Sequence, residues 1–552
     1  MDKDTPNICR LTGKQFFVTA HESELLERLG MPSPSLCPEE RLRWRLSFAN
    51  PFYLYKGSSA LSGESILSAF PESMPFPVYE SERWWSDCWD ACDYGRGFDI
   101  SRSFFEQFHD LWKVVPRRAR SVVRTENSPY VNSVSSVRNS YLVFNASEVE
   151  DCLSCCHAYQ IKDCIDCSYI YLSELCYDCV NCSHCFQLEN SADCEQCRDS
   201  FFLRYCRNCR NCFGCANLQH KQYCLFNQQV SAEQYSTFWA GFSRGSYAQR
   251  NALAARAEQV FSASPVPATA VEDPACTDCD QVSACNKVTR SFLIYDSDNI
   301  CNGYGLNQAR DCLDYSFYGS NAELLYNCVL CGDSAFSLRC CVSCSENVRD
   351  LYYCMECLES QDCFGCVGLR RKQYCILNMQ YSKSDYLHLK EKIIAQMQAR
   401  GEFGELFPMT FSPFAYNHSY AQQFFPLERR EVMNFGSSWY DRSELDVRAA
   451  CDASKLPDDA AATSESILVK SERSGRPFLI SAYELKAHKR RQLPLPRVSY
   501  DERMMLRASS MFGATLYTRN CARSGNPIQT RIKPLSQKIV WDSEVWQKEF
   551  RA

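Results

Sequence analysis

Cysteine pairs carry the strongest chemical signal in this sequence. Cys152/Cys155, Cys164/Cys167, Cys176/Cys179, Cys182/Cys185, Cys194/Cys197, Cys206/Cys209 and Cys212/Cys215 are each spaced Cys-x-x-Cys, and Cys224 follows alone. A sparser set lies downstream: Cys328/Cys331, Cys354/Cys357, Cys363/Cys366 and Cys375. Two thiolates across a tight turn form half of a zinc or iron site, and a second pair laid beside the first completes a four-sulfur shell. These cysteines are the candidate metal ligands, with zinc as the expected cofactor and His157 and His184 as substitute ligands. Iron–sulfur or thiol redox chemistry is the alternative. Four thiolates per ion limit the first set to about four ions and the second to about three. A third reading needs no cofactor, because unligated cysteine is small, weakly polar and among the residues most often buried.

The spacing says what must hold them. Pair starts advance by 12, 12, 6, 12, 12 and 6 residues, a 30-residue unit built on a six-residue step. Every third residue from 152 to 218 is Cys, Ser, Ala, Ile or Leu, so no charge falls in that phase. A neighbouring phase carries Asp163, Asp166, Asp178, Asn181, Asn190, Asp193, Asp199, Asn208, Asn211 and Asn217. A period of three suits neither the helical 3.6 nor the strand period of 2. It predicts a narrow parallel β-solenoid whose short strands alternate with bends, small residues inward and Asp or Asn at the corners.

Two duplications order the chain. "SYLVFN" at 140–145 matches "SFLIYD" at 291–296, and "CFGCANLQHKQYCLFNQQVSAEQY" at 212–235 matches "CFGCVGLRRKQYCILNMQYSKSDY" at 363–386, both 151 residues apart. The ends match at an offset of 462: Pro32 with Pro494, Glu40 with Glu502, Arg41 with Arg503, Tyr55 with Tyr517, Trp84 with Trp546. "SAEQ" at 231 and "SKSD" at 382 each cap a predicted helix, the second stopping at Gly401. Residues 452–470 read as an exposed linker. The expected fold is mainly β with α+β ends: an N-terminal module (1–125), a first cysteine-rich repeat (126–230), a helical linker (231–275), a second repeat (276–382), a helix and linker (383–470) and a C-terminal module (471–552).

Four segments, "CRLTG" at 9, "SSALSG" at 58, "SERSG" at 471 and "CARSG" at 521, have the form of a zinc knuckle. Their second ligand positions hold Thr12, Ser62, Ser474 and Ser524, and a neutral hydroxyl is a poor substitute for a thiolate. The ends are therefore expected to fold without metal around Phe16, Phe17, Leu25, Leu29, Trp44, Leu46, Trp84 and Trp85. Cys37, Cys88 and Cys92 could restore a site with Cys9. "VVPRRARSVVR" is basic, which makes Arg117, Arg118 and Arg120 the candidate nucleic-acid contacts, although such runs are usually solvated faces.

The 552-residue chain has a formal net charge of −6, giving no global basic field for nucleic acid. No apolar run approaches 18 residues and the N-terminal stretch lacks signal features, so the sequence reads as cytoplasmic, with no membrane segment and thiols kept reduced or metal-bound. It contains no GxGxxG, P-loop or GxSxG, and its eight histidines are scattered. The knuckle-like ends, the motif at 363–386, "FSPFAYN" at 411, "LPDD" at 456 and "LPLPR" at 493 resemble those of a group of cysteine-rich proteins from candidate-phyla bacteria with zinc-ribbon-like termini. That resemblance implies the architecture and carries no activity. Where the group has knuckle cysteines, this chain has Ser59, Ser471 and Ser499. The expected function is a non-enzymatic, zinc-binding structural scaffold with a protein partner. The alternatives are an iron–sulfur or thiol redox protein, or a nucleic-acid-binding protein acting through its ends.

Overall fold

The computed structural model describes residues 6–551 except 272–275, 277, 286–287, 296, 298–299, 301–302, 308–311, 314–315, 317–322, 442–449 and 512–514. These residues form a mixed α/β structure with twelve α-helices and predominantly parallel strands. They divide into two compact units. One comprises Met1–Arg120, Thr269–Tyr440 and Phe512–Leu516, the other Ser121–Ala268, Asp441–Met511 and Tyr517–Ala552. The modules read in series from sequence are thus grouped crosswise: the N-terminal module belongs with the second cysteine-rich segment and the C-terminal module with the first.

In the first cysteine-rich segment a residue with positive φ recurs at every third position, as at Asp151, Ser154, His157, Gln160, Asp163 and Asp166. The residue after each bend faces the interior, and these residues, from Val131 to Cys224, make one continuous buried core. Strands pair in parallel with chain twelve residues away: Leu153 with Tyr141, Cys182 with Cys194, Cys212 with Cys224. Four inward positions per twelve-residue step give four columns. A sequence interval of twelve stays in the same column, and an interval of six crosses to the opposite one. A left-handed bend is unfavourable for most L-residues and least so for Asn and Asp, which explains the Asp/Asn-rich phase. Some of these side chains also bond from step to step, Asn181 Nδ2 to Asp193 Oδ1 at 2.7 Å and Asn190 Nδ2 to Asp178 Oδ2 at 2.8 Å.

The second segment follows the same rule with a slip. Leu325 pairs with Leu338 and Leu338 with Leu351, thirteen residues on, before Leu351–Cys363 and Cys363–Cys375 return to twelve. The extra residues sit where two positive-φ residues are consecutive, Asp333–Ser334 and Glu346–Asn347.

Both ladders end in an antiparallel hairpin, Leu225↔Gln228 and Ile376↔Met379. The two-residue turns, Phe226–Asn227 and Leu377–Asn378, have positive φ throughout, as a type I′ turn requires. Asn227 Oδ1 accepts from Ala216 N–H and Asn378 Oδ1 from Val367 N–H, each at 2.8 Å. Helix Ala232–Ala240 starts at the Ser231/Gln234 capping box, and helix Lys383–Ala399 starts at Ser382 and is followed by Gly401 at φ +68°. The long shared motif is therefore a ladder terminus: its Gly214 and Gly365 have positive φ, and a Cβ there would lie 2.6 Å from Phe226 and 2.7 Å from Phe104.

The end modules are built on short hairpins, among them Tyr55–Ser58 with Ser65–Ser68 and Tyr517–Asn520 with Pro527–Thr530. Gly13, Gly63, Gly475 and Gly525 turn their knuckles at φ of 68–76°. Positions 462 apart do the same work: Arg45 Nε donates to Ser316 Oγ (3.0 Å) and Arg507 Nε to Ser168 Oγ (3.2 Å), while Trp84 and Trp546 donate to the carbonyls of Pro116 and Pro265. Phe16, Leu25, Leu29, Leu46 and Trp84 are buried, but Phe17 is 51% and Trp85 36% exposed, so these two lie outside the expected core. Residues 452–470 are not an exposed linker: Ala453, Leu456, Ala460 and Val469 share a core with Phe478, Ile480 and Leu485.

Candidate functional site

Among the described residues the inward thiols are the densest group of reactive side chains. All of Cys152, Cys155, Cys164, Cys167, Cys176, Cys179, Cys182, Cys185, Cys194, Cys197, Cys206, Cys209, Cys212, Cys215 and Cys224 are buried, as are Cys328, Cys331, Cys354, Cys357, Cys363, Cys366 and Cys375. Every described cysteine is a free thiol. In the first segment, the columns and steps bring six thiols together from Cys152 to Cys179, six on the opposite side from Cys182 to Cys209, and then Cys212, Cys215 and Cys224. In the second, Cys341 and Cys344 complete a block with Cys328, Cys331, Cys354 and Cys357. The sequence reading passed over these two although they too are spaced Cys-x-x-Cys. The signal was present as "CCVSC" at 340–344.

Each inward thiol donates to the carbonyl two residues back: Cys155 to Leu153 at 3.4 Å, Cys167 to Ile165 at 3.3 Å, Cys209 to Arg207 at 3.4 Å, Cys357 to Met355 at 3.5 Å. Inward serines do the same, Ser173 to Tyr171 and Ser200 to Arg198 at 2.7 Å, Ser360 to Leu358 at 2.8 Å. Both types also accept a backbone N–H from twelve residues on, Cys164 N–H to Cys152 Sγ at 3.3 Å and Cys185 N–H to Ser173 Oγ at 3.0 Å. Thiol and hydroxyl thus fill one donor–acceptor role in an interior that would penalise an unpaired polar group. Neighbouring thiols contact one another. Burial pushes Cys152, Cys167, Cys182 and Cys206 well above the ordinary thiol range, and donation to adjacent sulfurs adds to it. Burial also acts upward on Cys164, Cys179 and Cys194, but each receives bonds from three neighbouring thiols and falls below that range.

Among the described residues no group of three or more His, Cys, Asp or Glu stands in an arrangement that could hold a metal ion. Thiols of successive steps nonetheless meet, Cys152 with Cys164 and Cys167 with Cys179. His157 and His184 do not join them. His157 occupies a bend and stacks on Tyr169 at 4.4 Å, its imidazole held down to about 3 by burial, and His184 is exposed at another bend.

At the knuckles, hydroxyl–carboxylate pairs replace ligands. Ser59 donates to Glu80, and Ser471 and Ser499 (2.8 Å) donate to Glu502. Burial raises the carboxyl groups of Glu80 and Glu502, but the serine hydroxyls outweigh it and both end below the usual range. Cys521 Sγ accepts from Ser524 N–H (3.4 Å) and Asp542 N–H (3.2 Å). Cys37 meets Cys9, but Cys88 and Cys92 do not complete that pair. Cys88 is exposed beside Ser86, and Cys92 contacts Cys375.

The basic candidates are engaged inside their own unit. Arg117 is 1% exposed, lies over Phe76 and Trp112, and pairs with Glu356 at 3.6 Å. Arg118 lies over Trp84 and Trp85, and burial lowers the Arg120 guanidinium from its ordinary value. A buried guanidinium under aromatic rings serves packing, and the phosphate-contact reading loses Arg117. No described helix is long and apolar enough to cross a membrane. No family model matches the chain, and no curated protein is significantly similar to it.

Proposed function

We propose that the protein is a non-enzymatic scaffold in which two β-solenoids, related by duplication and each clasped by a duplicated end module, display side faces to a protein partner. The reduced thiols act as small, hydrogen-bonded packing residues of the bore. The single observation that carries this reading is the interchange of Cys and Ser in one hydrogen-bonding role, donor to the carbonyl two residues back. Coverage of the first ladder supports it further. Helix Ala482–Arg491 packs over Leu153 and Ile165, and helices Ala232–Ala240 and Tyr247–Ala263 over Phe201 and Phe213. The faces bearing Tyr159, Lys162, Glu174, Arg198 and Arg210 are left in contact with solvent.

A second reading, zinc held in the thiol blocks, is favoured by the clustering of cysteines into adjacent columns, for which packing gives no reason. Elemental analysis on protein purified without oxygen, with a visible spectrum and a thiol count, decides between them. Metal-free, colourless protein whose thiols all react on unfolding supports the packed scaffold. Stoichiometric zinc supports the second reading, and brown protein containing iron would replace both with an electron carrier.

A further inference from the structure

We infer that Cys9 and Cys37 form a peroxide-oxidisable dithiol, a modification site separate from the thiol-lined ladders and independent of the scaffold reading. Cys9 closes the first knuckle and Cys37 is the N-cap of helix Pro38–Ser47. Their sulfurs are in contact within a small cluster containing Phe16 and Leu36, and Arg10 N–H bonded to Ser35 O at 2.9 Å holds the two strands of chain together. This knuckle differs from the other three in having a second thiol opposite the first, where they present Glu80, Glu502 or the Asp542 backbone.

The two sulfurs have unequal roles. Burial raises the Cys9 thiol, but the N–H groups of Cys37, Thr12 and Leu11 and the Thr12 hydroxyl face it and bring it to about 7. Burial raises Cys37 and keeps it protonated. Cys9 is therefore the attacking thiolate and Cys37 the resolving thiol. The Cys9 sulfur displaces one oxygen of a hydroperoxide, breaking the O–O bond and giving a sulfenic acid and an alcohol or water. Cys37 sulfur then attacks Cys9 sulfur, the S–S bond forms, and the sulfenic oxygen leaves as water with the Cys37 proton. Two electrons pass from the dithiol to the peroxide. Ladder thiols such as Cys164 are also brought below the ordinary range, but they are enclosed in one continuous core. Residues 10–13 above Cys9 are exposed, so a small peroxide has a short path.

The test uses the full chain, reduced and metal-free, exposed to a small excess of hydrogen peroxide, then unfolded, alkylated and digested. The expected product is a cross-linked peptide pair containing Cys9 and Cys37, two hydrogens lighter, removed by dithiothreitol and formed ahead of any other link. Thr12→Val, which keeps both thiols, should slow it several-fold. Recovery of both cysteines as alkylated thiols, pairing of either with a different cysteine, or sulfinic acid at Cys9 without the link would overturn the inference.

Discussion

The two cysteine-rich ladders obey one inward rule with different outer lengths. The first keeps a twelve-residue register from Val131 onward, and its thiols and serines face carbonyls at constant offsets. The second takes thirteen residues per step from Glu323 to Arg349 and then reverts to twelve. There the second acceptor shifts with it: Cys155 and Cys197 also approach carbonyls nine residues on, whereas Cys331, Cys341 and Cys344 approach those ten on. The inserted residue is absorbed at a double bend, as a bulge absorbs one in a sheet. What the fold protects is therefore the inward sequence of small donors, and the outer contour is free to vary. The ladders also differ in how their end modules grip them. Arg503 and Arg507 meet the buried carboxylate of Asp166, whereas Arg45 meets the neutral Ser316 and Asn327.

That contrast predicts unequal damage. Asp166→Ala leaves Arg503 and Arg507 buried without their shared carboxylate and should cost about 3–5 kcal/mol. Asn327→Ala removes one hydrogen bond and should cost about 1–2 kcal/mol. Denaturant melts of the two variants check both, and equal losses would remove the distinction. Gly365→Ala and Gly214→Ala test the shared terminus. Each forces a side chain into a positive-φ site against an aromatic ring and should cost about 1–3 kcal/mol, the first loosening helix Phe104–Trp112 and the second the Phe226 turn.

Acid should act on the first ladder's unit through two histidines. Burial lowers His157 to about 3 and also lowers His488. A histidine whose folded value lies below its unfolded value of about 6.5 binds its proton more readily when unfolded. Stability is therefore fully present above that pH and falls as pH drops toward the folded value, by at most about 1.4 kcal/mol per pH unit for each. Melting temperatures between pH 7.5 and 5 should decline accordingly, with a shallower slope in His488→Asn. The smallest effect belongs to the thiols: Cys176→Ser keeps the donor and the volume nearly constant and should change stability by less than about 1 kcal/mol.

The three-residue phase, the inward direction of the cysteines, the Asp/Asn bends and both helix caps were legible because each is a local rule written in consecutive residues. The second ladder was less so, since the extra residues at Ser334 and Asn347 each move the later cysteines into a new phase, so no single three-residue phase runs through it. The crosswise grouping of modules depends on contacts such as Arg507 with Ser168, 339 residues apart, which no local pattern encodes. The knuckle serines stand out in the sequence, but the carboxylates that answer them, Glu80 and Glu502, sit 21 and 31 residues from Ser59 and Ser471. Arg117 looked like surface charge because a basic run gives no sign of the aromatic rings that enclose it.

The proposal that the thiol-lined interior is held by hydrogen bonds is tested most directly by thermal unfolding of oxygen-free protein before and after exhaustive treatment with a strong zinc and iron chelator. The account predicts superimposable melts with no metal released. A large fall in melting temperature accompanied by stoichiometric release of metal would contradict it.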